Sequence, residues 1–130
     1  MIPDKDFTLR LIRQLTQALE KLLLGKPEES LMQKELDFDS LMKDIFKIDF
    51  KELALKSKEE LIEIVKQRES KDHADYYEML GNVFMFYYRT EEKIDFADKA
   101  KTFYELYLQS SGIFALPIIN RINELKSELK

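Results

Sequence analysis

The residues that offer the most direct chemistry surround the single histidine of the chain. His73 lies in the stretch ESKDHADY, where Glu69, Asp72 and Asp75 place three carboxylates within four residues of the imidazole. An imidazole beside carboxylates can bind a divalent metal ion or transfer protons, but zinc sites take three or four protein ligands and favour a second histidine or a cysteine. The chain contains no cysteine. We therefore interpret this stretch as the acidic, solvated start of a helix, and we expect no metal site and no cofactor.

Other patterns typical of enzymes are missing from the sequence. The stretch DFDSLMKD has the alternating aspartates of a calcium loop, but it lacks the glycine and the terminal glutamate that shape such a site. The three glycines stand far apart, so no glycine-rich turn can cradle a phosphate, and no serine has the glycine-flanked setting of a hydrolase nucleophile. We predict that the protein is not an enzyme.

A binding surface is predicted on the polar side of the aromatic stretch YYEMLGNVFMFYY and the arginine that follows it. Glu78, Asn82, Met85 and Arg89 follow one another at spacings of four, three and four residues, which places them in one continuous strip along a helix. Met85 would supply adaptable apolar contact, and Arg89 could pair with a carboxylate. These four residues are the predicted partner-binding site; the alternative is an ordinary solvated face.

The helix that carries this strip is expected to lie at the centre of the core. Over residues 76–89 the aromatic and apolar side chains cover about 200° of a helical wheel, which is more than one neighbouring helix can bury. Rings that stack on bases or sugars would lie on an open surface beside several basic residues, and only Arg89 is near. We expect six side chains of this region to be substantially buried: Tyr77, Leu80, Phe84, Tyr87, Phe103 and Tyr104.

The other elements follow from apolar periodicity and from helix start and stop signals. Asp4 or Asp6 caps a first helix over residues 5–24, and a second helix runs from the stretch PEESLMQKEL to Ile48. The stretch KIDFKELAL forms a short turn of helix, Ser57 and Glu60 form a capping box, and Asp72 caps the aromatic helix. Two more helices cover residues 94–110 and 115–129, with Pro117 in the first turn of the last one. The total is five to six long antiparallel helices.

Composition supports this architecture and limits the function. With 130 residues, 45% of them hydrophobic and only three glycines and three prolines, the chain is expected to form a single all-α domain over residues 1–130. The N-terminus MIPDKDF lacks the pattern of a secretory signal, and the longest apolar runs fall short of the roughly 18 residues that a membrane span needs. We therefore expect a cytoplasmic protein. The net charge of −4 includes no basic stripe, so we also expect that the protein binds no nucleic acid.

The late helix pair resembles a tetratricopeptide repeat. Tyr77, Leu80, Gly81 and Phe84 match the aromatic and leucine-glycine positions of the first helix of that repeat, and Tyr104 with the preceding Ala100 matches the second. The whole chain also resembles a family of uncharacterised bacterial proteins with a tetratricopeptide-like helical fold, through DFTLRLIRQL, IDFKELALKSKEELIEIV and this pair. The resemblance implies a tetratricopeptide-like array or small helical bundle, a bacterial cytoplasm, and a groove in which the amide of Asn82 holds a peptide backbone.

These observations lead to one functional hypothesis and two alternatives. The hypothesis is a non-enzymatic helical interaction module that binds a peptide or protein partner through the four residues of the polar strip. The first alternative is a self-associating structural protein, because Ile118, Ile122, Leu125 and Leu129 form an apolar seam that either caps the monomer or joins two copies in a homodimer. The second is a membrane-surface adaptor that uses the basic amphipathic N-terminal helix, whose residues we instead expect to pack back onto the domain.

Overall fold

The computed structural model of the protein describes residues 4–25 and 38–129. Within these ranges the chain forms seven α-helices, one 3-10 turn and no strand, so the prediction of an all-α fold is confirmed. The elements are α1 (Asp4–Leu23), α2 (Phe38–Phe46), α3 (Phe50–Leu55), α4 (Lys58–Lys66), the 3-10 turn Ser70–Asp72, α5 (His73–Glu91), α6 (Ile94–Ser111) and α7 (Leu116–Glu128).

The second predicted helix agrees with the structure only in its last part. Its end appears as α2, whereas its start in PEESLMQKEL lies outside the described residues, as do the side chains of Asp4 and Asp6. The stretch KIDFKELAL contains the six-residue helix α3, whose start is capped by Asp49. The helix count among the described residues therefore exceeds the expected five to six, because short helices fill the segment between α1 and α5.

Local signals located three helix starts correctly, but the capping bond predicted at the third is absent. Both hydrogen bonds of the predicted capping box are present, since Ser57 Oγ accepts from the Glu60 N–H at 3.1 Å and the Ser57 N–H donates to Glu60 Oε1 at 2.9 Å. Pro117 lies in the first turn of α7 as predicted. The prediction that Asp72 caps α5 is wrong: Asp72 has helical φ and ψ angles of −99° and −8°, and its side chain makes no capping bond. The 3-10 turn that ends at Asp72 leads directly into the helix, so this residue cannot adopt the extended conformation of a cap.

Helix α5 is the centre of the core, as predicted. It packs against α6 on one side and α1 on the other. Phe84 is fully buried, with its ring 6.1 Å from that of Phe103, while Tyr87 is only half-buried and stacks on Phe50 at 4.0 Å. The other five of the six side chains expected in the core are all buried. The aromatic rings are therefore packing groups, and the interpretation of the stretch as core is confirmed.

Gly81 marks a close approach between α5 and α6. A Cβ atom at this position would lie 2.5 Å from Cδ1 and 2.6 Å from Cε1 of Tyr104, well inside the ordinary contact distance. The ring of Tyr104 therefore lies directly against the backbone of α5. This contact explains why a residue that costs about 1 kcal/mol relative to alanine stands in the middle of a helix.

The terminal helices α1 and α7 both pack onto this centre. The apolar face of α1 is buried through residues such as Ile12 and Leu15, both with no exposed surface. Ionic and polar contacts between α1 and α5 run in the same direction along both helices, because Arg13 meets Asp75 and Leu23 meets Arg89. Helix α7 packs against α6. Its seam residues Ile118, Ile122 and Leu125 are buried, and Leu129 is partly buried.

The buried residues of all seven helices form one hydrophobic core cluster. Within residues 4–25 and 38–129, no helix is both long enough and apolar enough to cross a membrane.

Candidate partner-binding site

The predicted partner-binding residues Glu78, Asn82, Met85 and Arg89 all lie on α5 and are called the α5 strip. This strip is not the continuous open surface that its spacing predicts. Asn82 and Met85 have no exposed surface at all, whereas Glu78 is half-buried and Arg89 is exposed. The expectation of one accessible strip is therefore wrong for its two central residues. A partner could reach Asn82 or Met85 only if the helices that cover them moved apart.

The amide of Asn82 is fully used inside the protein. Its Nδ2 donates to the backbone carbonyl oxygen of Thr16 on α1 at 3.1 Å, and its Oδ1 accepts from the Tyr104 hydroxyl at 2.7 Å. Burial raises the pKa of Tyr104, which keeps the hydroxyl in its neutral, donating form. The amide thus does hold a backbone, as expected from its chemistry, but that backbone belongs to α1 of the same chain.

Arg121 closes the middle of the strip from the side of α7. This guanidinium is almost completely buried and forms a bidentate pair with Glu20 of α1, with Nη1 2.8 Å from Oε1 and Nη2 2.7 Å from Oε2. Its Nη1 also donates to Asn82 Oδ1 at 3.3 Å. Because both charges are largely removed from water, loss of either partner would leave an uncompensated charge, which typically costs about 3–5 kcal/mol.

Arg89, at the far end of the strip, is bound by groups of both α1 and α7. Arg89 donates from Nη1 to the carbonyl oxygen of Leu23 on α1 at 2.9 Å and from Nη2 to Glu124 of α7 at 3.2 Å. The ion pair with Glu124 is exposed, so it stabilises the fold by no more than about 1 kcal/mol. Groups of both α1 and α7 therefore contact α5 at two places, and they satisfy Asn82 and Arg89, which the spacing had assigned to a partner.

At the other end of the strip, the half-buried Glu78 borders an open groove between α1 and α5. This α1–α5 groove has a volume of about 360 Å³. The side chains that line it include Arg13, Gln17, Glu20, Lys21, Asp75 and Glu78.

Two of the three carboxylates that line the groove have a cationic partner within the chain. Arg13 pairs with Asp75 at 3.4 Å, and Glu20 is held by Arg121. Glu78 forms no hydrogen bond or ion pair with another described residue. Burial raises the pKa of Glu78, the carboxylates of Glu20 and Asp75 raise it further, and the nearby guanidinium of Arg121 offsets only part of this rise. The groove therefore contains a half-buried carboxylate that would be stabilised by an added cation.

His73, the most reactive residue type in the sequence, has a structural contact. Its Nε2 lies 2.9 Å from the carbonyl oxygen of Arg68, which makes that nitrogen the donor, and its ring contacts the edge of Tyr77. Among the residues that the structure describes, no group of three or more His, Cys, Asp or Glu side chains is placed to hold a metal ion.

Searches with protein-family models, among curated proteins and among solved structures found no match to this chain. The tetratricopeptide-like resemblance therefore stays a prediction.

Proposed function

We propose that the protein is a non-enzymatic helical interaction module that binds a peptide or protein partner in the α1–α5 groove. The observation that carries the proposal is the unpaired, half-buried carboxylate of Glu78 at the edge of this groove. Each of the other two carboxylates that line it already has a cationic partner from the chain itself. Glu78 is thus the group for which a partner's charge would make the largest difference.

The chemistry of the groove favours a partner segment with a lysine or arginine side chain. An ammonium or guanidinium group beside Glu78 would form a charge-assisted hydrogen bond and would offset the repulsion from Glu20 and Asp75. Lys21 lies on the same groove and could pair with an acidic or carbonyl group of the same segment. A groove between two parallel helices suits an extended or helical stretch of polypeptide.

The arrangement of α5 with its neighbours supports a tetratricopeptide-like fold as part of this proposal. The close contact of Gly81 with Tyr104 and the parallel course of α1 and α5 are what two successive repeats of such an array would have. In that array the first helices line the binding groove. Here Arg121 occupies the position over Asn82, so the proposed site moves along α5 to Glu78. A bacterial cytoplasm remains the expected setting.

The membrane-surface alternative would require α1 to leave the domain. Ile12, Leu15 and Leu19, which would enter the bilayer, are at most 1% exposed. Their transfer would uncover the apolar faces of the neighbouring helices, and we therefore favour the groove.

The test uses short acetylated, amidated peptides with one central arginine or lysine, titrated into the ¹⁵N-labelled protein. Matched peptides with citrulline or acetyl-lysine keep the size of the side chain and remove its charge. We expect saturable NMR shifts at Gln17, Lys21 and Glu78 with the charged peptides only, and loss of these shifts in Glu78→Gln. Glu124→Gln, which removes a carboxylate near the other end of α5, is the matched control and should bind as the parent does. Equal shifts with neutral peptides, or undiminished binding by Glu78→Gln, would contradict the proposal.

A further inference from the structure

We infer that α7 can exchange between two copies of this chain, so that each α7 packs on α1, α5 and α6 of the other copy and the apolar α6–α7 connections of the two copies meet. This inference does not depend on the α1–α5 groove. It rests on an exposed apolar connection, on the form of the α7 contacts, and on the area that a stable dimer needs.

The connection between α6 and α7 is unusually apolar and unusually exposed. Residues 106–120 contain no charged side chain, although 35% of the whole chain is charged. Within this run Ile113, Phe114 and Leu116 are 56%, 81% and 57% exposed. Single exposed apolar residues are common, but neighbouring ones of this size on one turn typically mark an interaction surface. An uncharged surface of this kind fits an identical uncharged surface better than it fits a charged partner.

This patch alone is too small to hold two copies together in a stable dimer by simple face-to-face contact. An aromatic side chain buries about 150–250 Å², so one partly exposed ring and two smaller, partly exposed aliphatic side chains offer no more than on the order of 400 Å². A stable interface buries about 800 Å² on each partner. Exchange of α7 supplies the missing area, because the seam residues Ile118, Ile122 and Leu125 would then be buried between chains.

The contacts that hold α7 can all be made equally well by a second copy. They include the apolar seam, two ion pairs, Arg121 with Glu20 and Glu124 with Arg89, and the hydrogen bond from Arg121 to Asn82. Only the four residues 112–115 join α7 to α6. Gly112 has a φ angle of 68°, and a Cβ atom at this position would have no neighbour within 4 Å. This residue can therefore change its backbone angles without a steric barrier from a side chain.

Two-fold symmetry explains the role of the exposed connection. When two identical chains exchange a terminal helix, their connecting segments must cross near the symmetry axis. Ile113 and Phe114 of one copy would then lie beside the same residues of the other and lose contact with water. The exchanged dimer therefore keeps every α7 contact of the monomer and adds this apolar contact.

Charge reversal of the buried ion pair gives a test that only exchange can pass. Glu20→Arg places two cations together in the monomer, and Arg121→Glu places two anions together, so each variant alone should have a lowered melting temperature. In a mixed exchanged dimer, the arginine introduced at position 20 of one chain meets the glutamate introduced at position 121 of the other, and the unmodified Glu20 and Arg121 also meet. The two variants, unfolded and refolded together at equal concentration, should therefore form a dimer of twice 15.5 kDa with a higher melting temperature than either alone. The double variant in one chain is the control, because it restores the pair without exchange.

Light scattering of the unmodified protein provides the second measurement. After refolding at micromolar to millimolar concentrations, we expect a mass that rises from 15.5 kDa towards twice that value. Phe114→Asp should raise the dimer dissociation constant about tenfold or more while leaving the monomer as stable as the parent, because the ring is exposed there. A mass that stays at 15.5 kDa throughout overturns the inference. Two other results overturn it as well. One is a mixture with the same melting temperatures as its separate variants although the double variant regains the stability of the parent. The other is a dimer whose dissociation constant does not change with Phe114→Asp.

Discussion

Replacement of Gly81 by alanine should destabilise the protein, although the same change in an open helix stabilises it. The added Cβ would lie 2.5 Å from Tyr104 Cδ1, so the ring must retreat by about 1 Å to reach an ordinary contact distance. The ring has no exposed surface, and its hydroxyl is fixed by a 2.7 Å hydrogen bond to Asn82. Overpacking of this kind costs about 1–3 kcal/mol, and a weakened buried hydrogen bond costs about 0.5–1.5 kcal/mol more.

The gain in helix propensity from glycine to alanine offsets about 1 kcal/mol of this cost. The net expectation is a loss of about 1–3 kcal/mol, which lowers the melting temperature by roughly 4 °C per kcal/mol in a domain of this size. Urea unfolding and thermal melts followed by circular dichroism measure it. The control is the same substitution in a Tyr104→Ala background, where the crowding is gone and alanine should now be the stabilising residue. A Gly81→Ala protein that is more stable than the parent by about 1 kcal/mol would refute the close approach of α5 and α6.

Two further substitutions test the core and the groove. Phe84→Ala should lower the free energy of unfolding by about 3–5 kcal/mol because the ring is fully buried. Phe114→Ala removes an exposed ring of the same type and should leave the thermal melt of the monomer almost unchanged. Similar melting temperatures for the two variants would contradict the assigned burial. Glu78→Gln should be more stable than the parent at neutral pH, because the raised pKa of Glu78 means that its ionised form is disfavoured in the fold. Because the pKa of Glu78 is higher in the folded protein than in the unfolded chain, protonation of Glu78 stabilises the fold. This stabilisation is fully present below the pKa of the unfolded chain and is lost as the pH rises through the pKa of the folded protein. The difference between Glu78→Gln and the parent should therefore shrink as the pH falls towards the unfolded value of about 4.3, and a pH-independent difference would count against it.

The parts of the fold that the sequence predicted well depend on residues close together in the chain. The capping box of Ser57 and Glu60 spans three residues, and both of its bonds formed as expected. The aromatic run of α5 covers so much of the helix surface that burial between two neighbours was the only efficient packing. The resemblance to a tetratricopeptide repeat singled out Gly81 and Tyr104, and these two residues are in direct contact.

The closure of the α5 strip was missed because it depends on residues far apart in the chain. A helical wheel treats Asn82 as polar and therefore assigns it to water or to a partner. Its actual surroundings come from Thr16, 66 residues away, and from Arg121, 39 residues away. No periodicity within one helix reports such a contact.

One signal for this network was nevertheless present in the sequence. Arg121 lies three residues after Ile118 and four before Leu125, so it occupies the same helix face as the apolar seam. A guanidinium on a buried seam must have a carboxylate partner. Glu20, which lies beside the buried Leu19 on α1, was a candidate that the pattern of α1 alone could have suggested.

The closure of the α5 strip is tested most directly by the oxidation of Met85, which has no exposed surface. Exposed methionines form sulfoxides readily with dilute peroxide, and buried ones react only when the structure opens. Met79, which is also fully buried on α5, is the internal reference in the same protein. Peptide mass spectrometry of the folded protein after brief peroxide treatment should find Met85 and Met79 protected to a similar degree relative to the protein in denaturant. Oxidation of Met85 at nearly its denatured rate, with Met79 still protected, would show that the strip is open and would contradict the closed site.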